Sequence, residues 1–255
     1  MLGKQNYGDL KMNKLHLLFL SLIAFTFGGI SKTDAQCSAK VDLGVAYVHL
    51  DNLTHGHTTH SADLAALRGE VSFKLFKGLI LRPYALYGAS SPFKTNSEDS
   101  LFTTGVSIGH CIPVMEKLII QPNVGWAYTR SKTVFNDTVQ QINPILGVID
   151  IHFHGIKQTF NSNGPFIGLD AYYAFTDYFR LNISFQYAWS RTHSEVHNAF
   201  NSKDDAKGAN WSAMLEYDLN ECWSVNVAGA YNNSLTHEKH GLRAAGAKLG
   251  IARWF

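Results

Sequence analysis

The fold turns on Phe179-Arg180-Leu181-Asn182-Ile183-Ser184-Phe185-Gln186-Tyr187-Ala188-Trp189-Ser190. Large apolar or aromatic side chains hold the odd positions. Arg180, Asn182, Ser184, Gln186, Ala188 and Ser190 hold the even ones. A period of two marks a strand with two unlike faces. The run exceeds the usual strand of ~5–6 residues. It suits the ~9–11 residues that a tilted strand needs to cross a bilayer.

Working outward, the pattern recurs. From Leu118, one face reads Leu118, Ile120, Pro122, Val124, Trp126, Tyr128, and the other Ile119, Gln121, Asn123, Gly125, Ala127, Thr129. The same reading predicts ten strands, near 38–50, 64–75, 79–89, 101–112, 117–131, 155–175, 178–192, 207–218, 222–235 and 242–255. Tight turns are expected at Phe76-Lys77-Gly78, Val114-Met115-Glu116, Thr176-Asp177 and Leu219-Asn220-Glu221. Long polar loops are expected at 51–63, 90–100, 132–154, 193–206 and 236–241. Short turns on one side and long loops on the other are the layout of a transmembrane, antiparallel, up-and-down β-barrel. Asp42, Arg68, Glu70, Lys74, Arg82, Asp170, Arg180, Glu216 and Lys248 share strand phase with small or polar residues. So many charges would be ruinous in an apolar core. They are tolerable when paired inside a wet barrel whose other face meets lipid. Tyr87, Trp126, Tyr128, Tyr187, Trp189, Trp211, Trp223 and Tyr231 lie towards strand ends, as interface girdles require.

Composition agrees. The 255 residues are 45% hydrophobic and 16% charged, with a net charge of +2. There is no basic excess for nucleic-acid binding. A mean hydropathy of −0.09 excludes a helical membrane protein but not a barrel that alternates polar with apolar. The one long apolar run, Leu15 to Ile30, follows Lys14 and precedes Thr33-Asp34-Ala35. A basic start, an apolar core and a small-x-small site make a signal peptide. We expect it to span 1–35, with Met12 as initiator, and the barrel to span 36–255. Cys37, Cys111 and Cys222 form neither a disulfide framework nor a zinc site and read as small apolar fillers.

Gly155-Ile156-Lys157-Gln158-Thr159-Phe160, then Pro165-Phe166-Ile167-Gly168-Leu169, Tyr173, Asp177-Tyr178, Leu181, Phe185 and Tyr187 carry a family resemblance. The segment resembles the omptins, ten-stranded outer-membrane barrels of Gram-negative bacteria, many of them surface proteases. Weaker similarity runs from Ala39-Lys40-Val41-Asp42-Leu43-Gly44 to the closing strand. The resemblance implies a bacterial outer-membrane location.

It also implies a place for a protease site in the barrel mouth, where omptins pair an Asp-x-His couple with two opposing carboxylates. Glu195-Val196-His197 keeps the carboxylate-x-imidazole spacing, with Glu for Asp. Residues two apart on an extended segment share a face, so Glu195 and His197 are the candidate catalytic pair. The Asp-x-Asp pair is missing from 90–100. Glu98 and Asp99 are adjacent there and on a strand would point oppositely. Asp150-Ile151-His152 has Asp-x-His spacing in a different loop. On the outer wall, the family's lipopolysaccharide pattern Tyr-x-Glu-x-Arg resembles Tyr128-Thr129-Arg130-Ser131-Lys132. Tyr128, Arg130 and Lys132 are the candidate lipid-phosphate contacts. His55, His57, His60, His152, His154, His193, His197, His237 and His240 read as solvated loop residues, with no closed metal-ligand set and no cofactor motif.

The sequence thus predicts an omptin-like barrel with a degenerate protease site, acting as a surface interaction or structural protein. Its expected partners are outer-membrane lipid, including lipopolysaccharide, and a host or envelope protein. An active endopeptidase and a small pore are the alternatives.

Overall fold

A computed structural model describes residues 39–75, 78–90, 97–143, 147–196 and 200–255, and for 136–154 and 200 the backbone alone. The leader expected at 1–35 lies outside the described residues, as do Phe76 and Lys77.

The strands are β1 (Ala39–Thr54), β2 (His57–Lys74), β3 (Leu79–Ala89), β4 (Ser97–His110), β5 (Ile112–Met115), β6 (Leu118–Asn143), β7 (Gly147–Ala174), β8 (Phe179–Val196), β9 (Phe200–Asp218), β10 (Trp223–Thr236) and β11 (Gly241–Trp254). Neighbours pair antiparallel. β4 pairs with β6, and the four-residue β5 continues the line of β4 along the start of β6. β11 pairs with β1. The eleven segments therefore make ten staves, and the sheet closes into a barrel, which removes its edges.

The lumen has two layers. Towards the short turns it is ionic. Lys248 Nζ donates to Asp42 Oδ1 at 2.6 Å, and Asn226 donates to Oδ2 at 3.0 Å. Lys40 Nζ reaches both oxygens of Glu216, at 2.5 and 2.6 Å. Arg180 pairs with Asp218 at 2.5 Å, Arg68 with Glu70 at 3.1 Å, and Arg82 with Asp170. These pairs contain every member of the sequence-assigned interior set except Lys74. Lys74 instead lies 5.6 Å from the Trp254 ring, which Lys40 and Arg180 also approach, at 4.9 and 5.8 Å.

Towards the surface loops the lumen is apolar. Val48, Leu50, Ala62, Leu64, Ala66, Leu101, Phe160 and Leu242 form one buried cluster. Leu50 and Leu64 are 2% and 0% exposed. Outside, Val45, Leu67, Val124, Ile167, Ile183, Val227 and Leu249 are exposed. A belt of that kind is costly in water and favourable in hydrocarbon. Tyr47, Tyr87, Trp126, Trp189, Trp211 and Tyr231 are also exposed, and amphipathic rings of this kind settle at the headgroup level.

Five connections differ from expectation, among them 90–100, where Ser97–Ser100 already belong to β4 and pair with β6. The segment 51–63 is ladder on both sides of a two-residue turn, His55-Gly56, with φ of 51° and 82°. Positive φ at both positions is the type I′ hairpin turn. The segment 132–154 is likewise ladder, closed by 144–146, which lie outside the described residues. Much of 193–206 belongs to β8 and β9. The short turn expected at 114–116 falls at 116–117. The reason is common to the long segments. Beyond the bilayer the outer face of a strand meets water instead of lipid, so apolar alternation stops while the inner face stays buried and the backbone ladder continues.

Candidate functional site

The inner mouth and the outer wall are where the expected site residues fall. Glu195 lies on β8, opposite Thr159 and Asn201. Thr192, three residues before it, is buried on the inward phase, and Glu195 is exposed on the other. His197 lies outside the described residues. Asp150 and His152 stand on the β7 ladder, opposite Gln140 and Thr138.

The structure brings a different carboxylate and imidazole together in the mouth. Asp99 Oδ1 meets His60 Nε2 at 2.9 Å and accepts from Thr133 Oγ1 at 2.7 Å. Ser97 Oγ donates to Oδ2 at 2.9 Å. The Phe135 ring meets the imidazole edge-on, 5.1 Å away. Burial alone would raise the Asp99 pKa. The donors His60, Thr133 and Ser97 outweigh it and hold the carboxyl below its usual range. Glu98 is exposed, so the adjacent acids do point oppositely. His60 is therefore a lumen residue and not a solvated loop histidine. The sequence placed it in a loop because the segment 51–63 is largely polar. The signal that finds it is strand phase: His60 stands two residues before the inward Ala62 and Leu64, past a register shift at Asn52/Leu53.

On the outer wall just above the aromatic belt, cations accumulate. Tyr128 OH donates to Asn161 Oδ1 at 3.1 Å. Arg130 stands between Phe102 and Asn161, and Lys132 between Ser100 and Thr159. On β7 to β9, Lys157, Arg191, Lys203 and Lys207 continue the band, all exposed. Between those strands opens a cleft of ≈450 Å³ lined by Asn161, Asn163, Arg191, His193, Lys203 and Asp205 among others. His193 Nδ1 is buried there with no hydrogen-bond partner. The lumenal cations Lys40, Arg68, Arg82, Arg180 and Lys248 are all ion-paired. None of the six on this wall pairs with a described residue. The sequence marked Arg130 and Lys132. It missed Arg191 and Lys203, which join them only through the strand register.

On the opposite wall, His49 Nδ1 meets Asp63 at 2.7 Å, and Asp63 also accepts from Tyr47 at 2.6 Å. The Asp63 hydrogen bond is the main cause that raises the His49 pKa. Among the described residues no group of three or more His, Cys, Asp or Glu could hold a metal ion. Cys111 and Cys222 are free thiols.

A closed stave ring with a lipid-facing belt and a wet, charged rim is a membrane-spanning β-barrel of the outer-membrane type. The chain belongs to the Protochlamydia outer membrane protein family, Pom, whose family model matches residues 88–250. It is an outer-membrane protein. No curated protein matches it. Among solved structures, the outer membrane protease OmpT of Escherichia coli aligns over 88% of this chain and 99% of its own, at 12% identity and a TM-score of 0.61. The likeness to the omptins holds at the level of the fold. The translocator domain of the autotransporter NalP of Neisseria meningitidis aligns over 96% of both chains, at 7% identity and a TM-score of 0.48. Ail of Yersinia pestis aligns over 87% of this chain and all of its own, at 10% identity and a TM-score of 0.40.

Proposed function

We propose that the protein is a surface interaction barrel: an omptin-like scaffold without an intact protease site, held in the outer leaflet by lipid phosphate. The observation that carries this reading is the closed lumen beneath an elaborated outer rim. Buried Leu50, Leu64, Leu101 and Phe160 sit above ion-paired carboxylates. Side chains fill small barrels in this way, which leaves the rim and its hairpins as the surface offered to partners.

Catalysis by Glu195 and His197 finds little support. Glu195 stands on the outward phase of β8, and Asp99, the acid nearest the expected opposing pair, is tied up by three donors. For the wall, a lipopolysaccharide phosphate is the fitting ligand. Arg130 and Lys132 and the neighbouring Arg191 and Lys203 offer unpaired, charge-assisted donors at headgroup height, beside the Tyr128 ring.

The test is adhesion. Bacteria displaying the protein should bind host cells or envelope protein, and should lose that binding when the surface hairpins are exchanged for short turns. Refolded protein with lipopolysaccharide should leave basic peptides uncut, and planar bilayers should stay silent. Cleavage that disappears in His197→Ala would establish the endopeptidase instead. Reproducible conductance steps would establish the pore.

A further inference from the structure

The β6–β7 hairpin outruns its neighbours. β4 begins at Ser97, opposite Phe135, and β8 ends at Val196, opposite Gln158. Beyond those points, among the described residues, Asn136–Asn143 pairs only with Gly147–His154. The result is a two-stranded ribbon about 27 Å long, at ~3.4 Å per residue. A bulge at Gly155, φ 75°, marks its root. Each strand of the ribbon has an outer edge whose backbone groups meet no described strand.

We propose that this ribbon is a homotypic docking element, in which the β7 edge, residues 148–154, pairs antiparallel with the same edge of a second copy of this chain. The proposal rests on the interaction-barrel reading and names its partner. Long open edges are templates for strand addition, and proteins usually blunt them with Lys or Pro. Gly147-Val148-Ile149-Asp150-Ile151-His152-Phe153-His154 contains neither, and is rich in β-branched residues.

The sequence selects the partner and its direction. In an antiparallel pairing centred on Ile151, Asp150 of each copy is in register with His152 of the other, and Ile149 with Phe153. The contact is its own complement, as a twofold interface requires. In-register parallel pairing would instead set Asp150 beside Asp150, which is unfavourable. The other edge, Asn136–Asn143, carries Asp137 without a cation and has no such complement. Within one membrane every copy of β7 runs in the same sense, so antiparallel pairing joins barrels in facing membranes.

Proteoliposomes of the full chain should therefore cluster, and detergent-solubilised protein should sediment as a dimer. Asp150→Lys should weaken the dimer roughly tenfold, because a cation then stands in register with His152 at both symmetric positions. The double variant Asp150→Lys with His152→Asp should restore it. With Cys37, Cys111 and Cys222 replaced by Ser, Ile151→Cys should form a disulfide dimer, since position 151 faces itself. Ile149→Cys alone should not, but mixed with Phe153→Cys it should. Heat-modifiable gel mobility confirms that each variant is a folded barrel. Monomeric wild-type protein that clusters no vesicles overturns the proposal. So does a folded Asp150→Lys variant that dimerises normally, or cross-linking by Ile149→Cys alone. Host-cell adhesion that depends on the other hairpins would in that event still uphold the broader interaction reading.

Discussion

Asp170 is 1% exposed and holds Arg82, with Asn123 donating to the same carboxylate at 3.1 Å. Asp170→Ala removes the paired carboxylate and leaves the largely buried guanidinium with a neutral partner, the Tyr172 hydroxyl. It should cost about 3–5 kcal/mol, read as a lower unfolding midpoint in urea. Leu64→Ala, in the apolar layer, should cost about 2–5 kcal/mol by the same measurement. Two rim groups respond to pH in opposite senses. The lowered Asp99 pKa contributes stability above the ordinary carboxyl range, lost as pH falls through its folded value. The raised His49 pKa contributes stability below the ordinary imidazole range, lost as pH rises through its folded value. Proteolysis of the β1–β2 hairpin should therefore quicken as pH rises through that folded value, and His49→Gln should flatten that dependence. At this scale the sequence showed which charges face inward, because phase along a strand is local. It hid who pairs with whom. Lys40 and Glu216 are 176 residues apart, and only ring order makes them neighbours.

The strands show a similar division. Within the bilayer, lipid on one side and a polar lumen on the other imprint alternation, so Phe179–Ser190 announces β8. Above it, the outer face of the sheet carries Arg130, Lys132 and Lys157 where lipid no longer asks for apolar residues, and inside it small polar residues such as Thr133 are buried, so the apolar pattern has nothing to record. β7 accordingly runs 28 residues, well past the span expected for it. Gly155 is the hinge of its upper part. A Cβ there meets nothing within 4 Å, yet φ is +75°, so the cost is conformational. Gly155→Ala should destabilise the ribbon by about 1–2 kcal/mol. Protease nicking between 136 and 154 should rise roughly 5–30-fold, while the barrel keeps its heat-modifiable mobility.

Taken as a whole, the barrel separates its charges. Inside, cations meet carboxylates. On the β6–β9 wall they do not, and that asymmetry was half legible: Arg130 and Lys132 stood out through the resemblance of their segment to the omptin lipid-binding pattern, whereas Arg191 and Lys203 needed the barrel to bring them alongside. Arg191→Ala with Lys203→Ala should weaken binding of lipopolysaccharide roughly tenfold in a titration with detergent-solubilised protein. The loss should shrink as ionic strength rises.

The contact between Asp42 and Lys248 joins residues 206 apart, and it belongs to the seam where β1 meets β11. That seam sets a timetable. The first stave to be synthesised waits for the last before its second edge is covered. Until then every nascent hairpin carries exposed backbone and an apolar face with no lipid to receive it. Contacts so distant in sequence are slow to form, and the waiting chain is prone to aggregate. The organism must therefore escort this polypeptide unfolded to its membrane, and closure of the ring becomes the last event of its assembly.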